Sequence, residues 1–145
     1  GDAGEAKELG AYANRLNLPM AIVDKRRDGH DEKPRAVNLI GDVTGKTALI
    51  IDDEIASGGT MVEAASFLLE SGAARVEACA VHAILSGQAP ARIQASPIES
   101  LIVTDTVPVP AEKRIDKLEV LSVAPMFARA IDAIHSGQSV SRLFR

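Results

Sequence analysis

Cysteine, aromatic residues and long apolar runs are all scarce in this sequence. Its one cysteine, Cys79, excludes an internal disulfide and favours a reducing, cytoplasmic setting. Aromatic residues make up 3% of the chain and tryptophan is absent, which leaves few surfaces on which nucleic-acid bases could stack. The formal net charge is −4, so the chain as a whole gives no electrostatic reason to bind nucleic acid.

Apolar stretches are short throughout the sequence. None reaches the length of about 20 residues that spans a bilayer, and the first ten residues, GDAGEAKELG, do not have the composition of a signal peptide. We therefore expect no membrane association. The 145 residues fit one domain, residues 1–145, with 46% hydrophobic residues to build a core. Because the chain opens at Gly1 without an initiator methionine, we expect a fragment, a truncated gene or a processed product.

Apolar periodicity and Gly/Pro punctuation divide the chain into alternating helices and strands. Helices are predicted over residues 3–17, 60–71, 89–95 and 125–135. Strands are predicted over residues 20–23, 36–40, 47–51, 76–85, 101–103 and 120–121, and residues 24–35 are expected to form a polar loop. This order indicates an α/β domain with a mostly parallel sheet flanked by helices on both faces. Ligands bind beyond the carboxyl ends of such strands, which directs attention to residues 52–60.

The segment LIIDDEIASGGTM, residues 49–61, combines three features with a chemical use. A buried strand is expected to end in Asp52 and Asp53, whose carboxylates can accept hydrogen bonds from vicinal hydroxyls or hold a hydrated Mg²⁺. A Ser-Gly-Gly-Thr turn then opens a helix, where free amides and the helix dipole bind phosphate. A pair of carboxylates that can bind vicinal hydroxyls thus lies a few residues from a turn that can bind phosphate.

These residues resemble the type I phosphoribosyltransferase motif, and more closely the phosphoribosyl diphosphate synthetases. DAGEAKELGAYANRLNLPMAIVDKRR resembles that family's stretch from a metal-binding Asp to its catalytic loop. VHAILSGQA, TDTVPVP and PMFARAIDAIHSGQSVSRLF resemble its later segments, so that the likeness extends over essentially the whole chain. The resemblance implies the C-terminal half of an enzyme that transfers the diphosphoryl group of ATP to the C1 hydroxyl of ribose 5-phosphate.

The resemblance also implies residue roles. Asp52 and Asp53 would hold the ribose hydroxyls, and the 5-phosphate would be bound by the turn residues Ser57, Gly58, Gly59 and Thr60. Ala56 departs from the family pattern, since many members have an acid or a hydroxyl residue there.

For catalysis, the resemblance points to Lys25 and Arg27 on the polar loop, which would close over the diphosphoryl group and stabilise its charge. Asp2 matches the acid that helps to hold Mg²⁺. Most of the ATP site would lie in the other half of the enzyme, so the isolated domain is expected to be inactive or nearly so. Family members assemble into homo-oligomers, which makes a homo-oligomer the expectation here.

Other interpretations of the same residues remain open. A base-specific phosphoribosyltransferase would use the same ribose site, and a non-catalytic regulatory subunit could share the fold. A signalling receiver domain is disfavoured, because its acid pair follows the first strand whereas 51 residues precede Asp52 here. The segment GDVTGKT, residues 41–47, has three residues between its glycines where a Walker A loop has four, and is predicted to be a turn.

Overall fold

The computed structural model describes residues 6–26 and 35–144. Helices in this part of the chain are α1 (Ala6–Leu16), α2 (Gly59–Glu70), α3 (Ala89–Gln94) and α4 (Ala124–His135). Strands are β1 (Ile22–Arg26), β2 (Arg35–Ile40), β3 (Thr47–Ile55), β4 (Arg75–Ala83), β5 (Leu101–Thr104) and β6 (Leu118–Leu121). Two 3-10 turns, Ala111–Lys113 and Val140–Phe144, were not predicted.

The strands form two sheets. β3, β4, β5 and β6 pair in that order, and all three pairings are parallel. β1 and β2 form a separate antiparallel pair. The prediction of an α/β domain with a mostly parallel sheet is therefore confirmed. Since parallel strands share a direction, the carboxyl ends of β3, β4 and β5 meet along one edge of the larger sheet.

The core lies between α2, α3 and one face of the parallel sheet. On α2 the buried residues Met61, Ala65 and Leu68 follow at intervals of four and three, which places them on one side of the helix. They join a buried cluster that includes Leu101 and Val103 of β5, each 0% exposed. Full burial of a side chain of this size contributes about 1.5–3 kcal/mol, so this layer anchors α2 against the sheet.

Two strands extend beyond their predicted ends into charged residues. β1 continues through Asp24, Lys25 and Arg26, and its pairing with β2 shifts register between Asp24 and Lys25. The expectation that Lys25 lies on a loop was wrong, because backbone pairing with β2 holds this stretch extended. β3 likewise continues through Asp52 and Asp53 as far as Ile55, since its pairing with β4 persists to Ala83.

Apolar side chains remain exposed on the face of the parallel sheet opposite α2. Leu49, Val81 and Ile102 on three of its strands are each about 40% exposed. Helix α4 carries further exposed apolar residues, among them Phe127 and Ile134. Across residues 6–26 and 35–144, no helix has both the length and the apolar composition that a membrane crossing needs.

Candidate functional site

A cavity of about 210 Å³ lies beside the carboxyl end of β3. Its walls include Asp52 and Glu54, which are two residues apart on the strand and therefore point to the same face. Asp53 between them points to the other face and lines a neighbouring, larger groove instead. The backbone N–H of Asp53 donates a hydrogen bond of 2.9 Å to Oδ1 of Asp52. Asp52 thus borders both the cavity and the groove, whereas Asp53 lines the groove and not the cavity.

The chain leaves β3 through a loop that is fastened to its surroundings by backbone hydrogen bonds. Ile55, 2% exposed, is the last residue of β3, and its carbonyl accepts a bond of 2.9 Å from the amide of Leu85. The carbonyl of Ala56 accepts a second bond of 2.9 Å from the amide of Ser86. Both donors lie just after β4, so the segment that leads into the turn is held to the chain that follows the neighbouring strand.

Gly58 forms the turn that starts α2. Its φ of 71° is left-handed, a conformation that costs other residues energy. A methyl group at this position would lie 3.2 Å from Cγ1 and 3.3 Å from Cδ1 of Ile93, whose side chain is fully buried in α3. Both the backbone angle and the packing therefore require glycine here.

Helix α2 presents its amino terminus to the same cavity. The amide of Val62 is bonded to the carbonyl of Gly58 at 3.1 Å, so Gly59, Thr60 and Met61 precede the first of the helix's own hydrogen bonds. Such first-turn amides have no intrahelical acceptor. The Ser57 hydroxyl accepts a long bond of 3.4 Å from the amide of Gly59. Gly58 offers no side chain as an N-cap, and the first turn has no acidic residue to compete with an anion.

Arg92 on α3 adds a positive charge next to this turn. Nη1 of its guanidinium donates a hydrogen bond to the backbone carbonyl of Ser57. The same atom lies 3.8 Å from the position of a methyl group built on Gly59. With the carbonyl of Ser57 engaged by Arg92, the turn combines a fixed backbone, free amides and a nearby cation. These are the features of an anion-binding site.

Comparisons with known proteins identify the family of this chain. Residues 29–145 match the model of a family described as the phosphoribosyl synthetase-associated domain. The chain belongs to this family.

Similar proteins include longer chains named ribose-phosphate pyrophosphokinase. The protein of Caldanaerobacter subterraneus subsp. tengcongensis is 50% identical over 143 residues, which is 99% of this chain and 45% of the relative. The Clostridium acetobutylicum protein is 43% identical over 147 residues with the same coverage. The chain thus spans less than half the length of these relatives and corresponds to their C-terminal, synthetase-associated domain.

Among solved structures, the phosphoribosylpyrophosphate synthetase of Mycobacterium smegmatis is similar to this chain with a TM-score of 0.83 and 36% identity. The likeness covers 93% of this chain and 43% of that one. At this identity and score the shared fold extends through almost the whole synthetase-associated domain.

Four of the predicted site residues in the domain line the 210 Å³ cavity together, namely Asp52, Ser57, Gly58 and Thr60. Gly59 is the first residue of α2 and does not line the cavity. Lys25 lies in β1, and Arg27 and Asp2 lie outside the described residues. The cavity thus brings together the predicted sugar-phosphate residues except Asp53 and Gly59.

Two residues of the site were not predicted. Glu54 could have been found from the sequence, because residues two apart on a strand share a face and Asp52 was already a candidate. Arg92 carries no such signal, since it lies 35 residues from Ser57 in sequence and reaches it only through the packing of α3 against the turn.

The prediction that the segment GDVTGKT forms a turn is confirmed, because residues 41–46 make bends and turns ahead of β3. Nζ of Lys46 forms an ion pair with Oδ2 of Asp42 at 2.5 Å and a bond of 3.0 Å to the carbonyl of the same residue. Hydrogen bonds from Lys46 and from Thr44 lower the pKa of Asp42 from 3.8 to about 2. Lys46 thus already has an anionic partner.

The described part of the chain offers few side-chain donors for a metal ion. Within residues 6–26 and 35–144, no three Asp, Glu, His or Cys side chains converge on a point that could hold an ion. Asp52 and Glu54 supply hard carboxylate oxygens of the kind that Mg²⁺ prefers. Mg²⁺ is commonly held by one or two carboxylates together with substrate phosphates, and two carboxylates in one cavity are compatible with that mode.

His82 and Cys79 on β4 have structural surroundings. Nδ1 of His82 lies 2.9 Å from Oγ1 of Thr106, and the Thr106 hydroxyl donates to the carbonyl of Val81 at 2.9 Å. His82 is thus held by a hydrogen bond to the neighbouring Thr106. Burial raises the pKa of the Cys79 thiol, which makes it a poor nucleophile.

Proposed function

We propose that the cavity beside β3 binds ribose 5-phosphate, and that the domain performs this role within a ribose-phosphate pyrophosphokinase. The observation that carries the proposal is that one cavity is lined by a carboxylate, Asp52, and by the turn and first residues of α2. A sugar phosphate presents the complementary groups, hydroxyls that donate hydrogen bonds and a dianionic phosphate that accepts them.

The 5-phosphate would lie against the turn. Amides at the start of α2 donate to its oxygens, and the positive end of the helix dipole favours its charge. The hydroxyls of Ser57 and Thr60 are further donors on the wall of the cavity. Arg92 keeps the carbonyl of Ser57 engaged, so that the turn presents donors and not acceptors to the anion.

The ribose hydroxyls would lie against the carboxylates. An ionised carboxylate accepts several hydrogen bonds and is a strong partner for vicinal hydroxyls. Asp52 and Glu54 both line the cavity, and we assign the diol contact to Asp52 first because it is half-buried whereas Glu54 is exposed. Asp53, which was expected to share this contact, would act from the adjoining groove.

In the complete enzyme the sugar would receive the diphosphoryl group of ATP on its C1 hydroxyl. Mg²⁺ would neutralise the charge of the transferring phosphates, with Asp52 and Glu54 as its protein ligands on this side and Asp2 as a third acid. Lys25 and Arg27 would close over the diphosphoryl group. Transfer of this kind depends on positioning and on electrostatic stabilisation, which these residues are suited to provide.

The test is a calorimetric titration of the chain with ribose 5-phosphate, ribose and inorganic phosphate, each with Mg²⁺. Saturable binding that needs both sugar and phosphate is expected. Asp52→Asn should weaken it about tenfold or more, because a hydrogen bond to a charged group contributes about 1.5–3 kcal/mol. Asp116→Asn, an exposed acid in the turn before β6, serves as the control for the loss of one charge.

Three outcomes would contradict the proposal. Binding of inorganic phosphate with the same affinity as ribose 5-phosphate would mean that the site recognises only an anion. Equal weakening by Asp52→Asn and by Asp116→Asn would indicate a long-range effect of charge. Uptake of a nucleobase would favour the base-specific phosphoribosyltransferase. In the full-length enzyme, Lys25→Ala should lower kcat far more than it raises KM, because its contact would form mainly in the transition state.

A further inference from the structure

A histidine at the carboxyl end of the parallel sheet lies next to the candidate site. His82 on β4 is the register partner of Glu54 on β3. Register partners on neighbouring parallel strands point to the same face of the sheet, and the two strands lie about 4.8 Å apart. Glu54 lines the cavity of about 210 Å³, and the side chain of His82 is exposed. An imidazole thus lies beside the cavity, on the face of the sheet that carries both of its carboxylates.

Two threonine hydroxyls contact the imidazole from the side of β5. Nδ1 of His82 lies 2.9 Å from Oγ1 of Thr106, and Oγ1 of Thr104 lies 2.8 Å from the same oxygen. The carbonyl oxygen of Val81 is 2.7 Å from the hydroxyl of Thr104 and 2.9 Å from that of Thr106. Three oxygen atoms therefore form a closed triangle, and Nδ1 of His82 is bonded to one corner of it.

The number of protons in this triangle determines the tautomer of His82. The two hydroxyls supply two protons for three oxygen–oxygen contacts, and the carbonyl supplies none. If Thr106 donated its proton to Nδ1, two of the three contacts would join oxygens with no hydrogen between them. If Nδ1 is the donor, both hydroxyl protons stay within the triangle. The neutral imidazole therefore carries its proton on Nδ1, which leaves Nε2 as a hydrogen-bond acceptor.

The residue between the two threonines fixes this arrangement. The amide of Asp105 donates a bond of 3.1 Å to the carbonyl of Leu121, and its Oδ1 accepts a bond of 2.8 Å from the amide of Val123. These bonds tie the end of β5 to the chain that follows β6. The ring of His82 is thus oriented by a supported neighbour, and within the described part of the chain its Nε2 has no hydrogen-bond partner.

We propose that Nε2 of His82 accepts a hydrogen bond from the C1 hydroxyl of ribose 5-phosphate, an inference that rests on the proposed function of the cavity. The sugar ring has three hydroxyls, and the diol contact with Asp52 uses those on C2 and C3. The C1 hydroxyl is then the donor without an acceptor. Glu54 would be engaged by Mg²⁺, whereas Nε2 offers a lone pair to a neutral donor. His82 thus orients the oxygen that receives the diphosphoryl group.

The test compares ribose 5-phosphate with 1,4-anhydroribitol 5-phosphate, which has the same ring and phosphate but lacks the C1 hydroxyl. Each is titrated calorimetrically into the chain with Mg²⁺. His82→Asn keeps an N–H donor near the position of Nδ1 but has no atom at that of Nε2. It should weaken ribose 5-phosphate about fivefold, because one hydrogen bond is lost, and change the affinity for the anhydro sugar by less than about twofold.

Two further variants separate contact with the sugar from support of the sheet. His82→Gln can place a carbonyl oxygen near the position of Nε2 but gives up the bond to Thr106. It should therefore keep the affinity for ribose 5-phosphate within about twofold of the parent chain. A purely structural role predicts the reverse order, with Asn tolerated and Gln harmful. His135→Asn removes an imidazole at the end of α4 and should leave both affinities unchanged.

The tautomer has a spectroscopic signature. In ¹⁵N NMR spectra of the histidine-labelled chain at about pH 8, where an ordinary imidazole is neutral, Nε2 of His82 should have the shift of an unprotonated nitrogen. That shift should move when ribose 5-phosphate is added and stay in place with the anhydro sugar. A proton on Nε2 of the neutral ring would overturn the proposal.

Failure of this proposal differs from failure of the proposed function. If the parent chain binds neither sugar phosphate, both fail. If ribose 5-phosphate binds and Asp52→Asn weakens it, but His82→Asn weakens both ligands equally or neither, the cavity holds the sugar and His82 does not contact its C1 hydroxyl. If His82→Gln binds ribose 5-phosphate more weakly than His82→Asn does, His82 serves only to support Thr106.

Discussion

The replacement of Gly58 by alanine tests whether the turn of the candidate site is braced by the core. Two costs add at this position. Alanine at a φ of 71° costs about 1–2 kcal/mol. The new methyl group then lies 3.2 Å from Cγ1 of Ile93, which must shift by a few tenths of an ångström within a close-packed core and adds about 1 kcal/mol. We expect Gly58→Ala to lower the free energy of unfolding by about 2–3 kcal/mol.

Gly45 provides the matched control. Its φ of 67° is nearly the same, but a methyl group there meets no atom within 4 Å. Gly45→Ala should therefore cost only the backbone share, about 1–2 kcal/mol. The difference of about 1 kcal/mol would separate the two urea midpoints by about 0.5 M, which equilibrium unfolding monitored by circular dichroism resolves.

A double variant gives the sign of the packing contribution. Ile93→Val removes Cδ1, which lies 3.3 Å from the added methyl position, and Gly58→Ala combined with it should cost less than the sum of the single changes. If Gly58→Ala and Gly45→Ala agree within about 0.3 kcal/mol, Ile93 yields freely and the reasoning that the core braces the turn is refuted.

Three further outcomes are expected. The folded-state pKa of Asp42, about 2, lies below its ordinary 3.8, so ionised Asp42 stabilises the fold above about pH 4 and this contribution is lost as the pH falls towards 2. Asp42→Asn should accordingly lower the urea midpoint at pH 6 and not at pH 2, and a gap independent of pH would contradict this. Arg92→Ala, which frees the carbonyl of Ser57, should weaken ribose 5-phosphate about fivefold by calorimetry, corresponding to about 1 kcal/mol, whereas unchanged affinity would make Arg92 a surface contact only. Since burial raises the pKa of Cys79, iodoacetamide at pH 8 should alkylate the folded chain more slowly than the urea-unfolded chain, and equal rates would mean that the thiol is open to solvent.

Much of the fold could be predicted from the sequence, because apolar runs and Gly/Pro punctuation mark the same elements that the structure contains. The predicted helix at residues 60–71 is α2, Gly59–Glu70, and the predicted final helix at residues 125–135 is α4, Ala124–His135. Their ends are set by local signals, a glycine turn before α2 and a proline in the first turn of α4. Local signals of this kind are visible in a single sequence.

The errors arose where backbone pairing outweighs side-chain character. Asp24 to Arg26 look like a loop because they are charged, yet β2 supplies hydrogen bonds to their backbone and keeps them in β1. Asp52 and Asp53 look like the end of a strand for the same reason, but β4 pairs with that stretch as far as Ile55. Strand partners are distant in sequence, and a pattern of residue types does not reveal how far they extend.

The chemical groups of the candidate site could be predicted from the sequence, but their arrangement in space is set by the fold. The acids and the Ser-Gly-Gly-Thr turn were predicted from their types and spacing, and the cavity brings Asp52 together with Ser57, Gly58 and Thr60. That Asp53 faces another surface follows from the strand continuing past it, which the sequence did not indicate. Arg92 reaches the site only through tertiary packing, which brings its guanidinium to the carbonyl of Ser57.

The two hydrogen bonds from Leu85 and Ser86 to the carbonyls of Ile55 and Ala56 have a consequence for how the site responds to its ligand. They hold the turn in its working shape before any anion arrives, so binding does not have to order a loosely held loop, and little affinity is lost to conformational entropy. The amides of Leu85 and Ser86 are also natural reporters, because their hydrogen exchange rates record how often the turn detaches from β4. A rate that is slow without ligand and unchanged with it would describe a rigid receptor, whose specificity depends on complementarity of shape and charge.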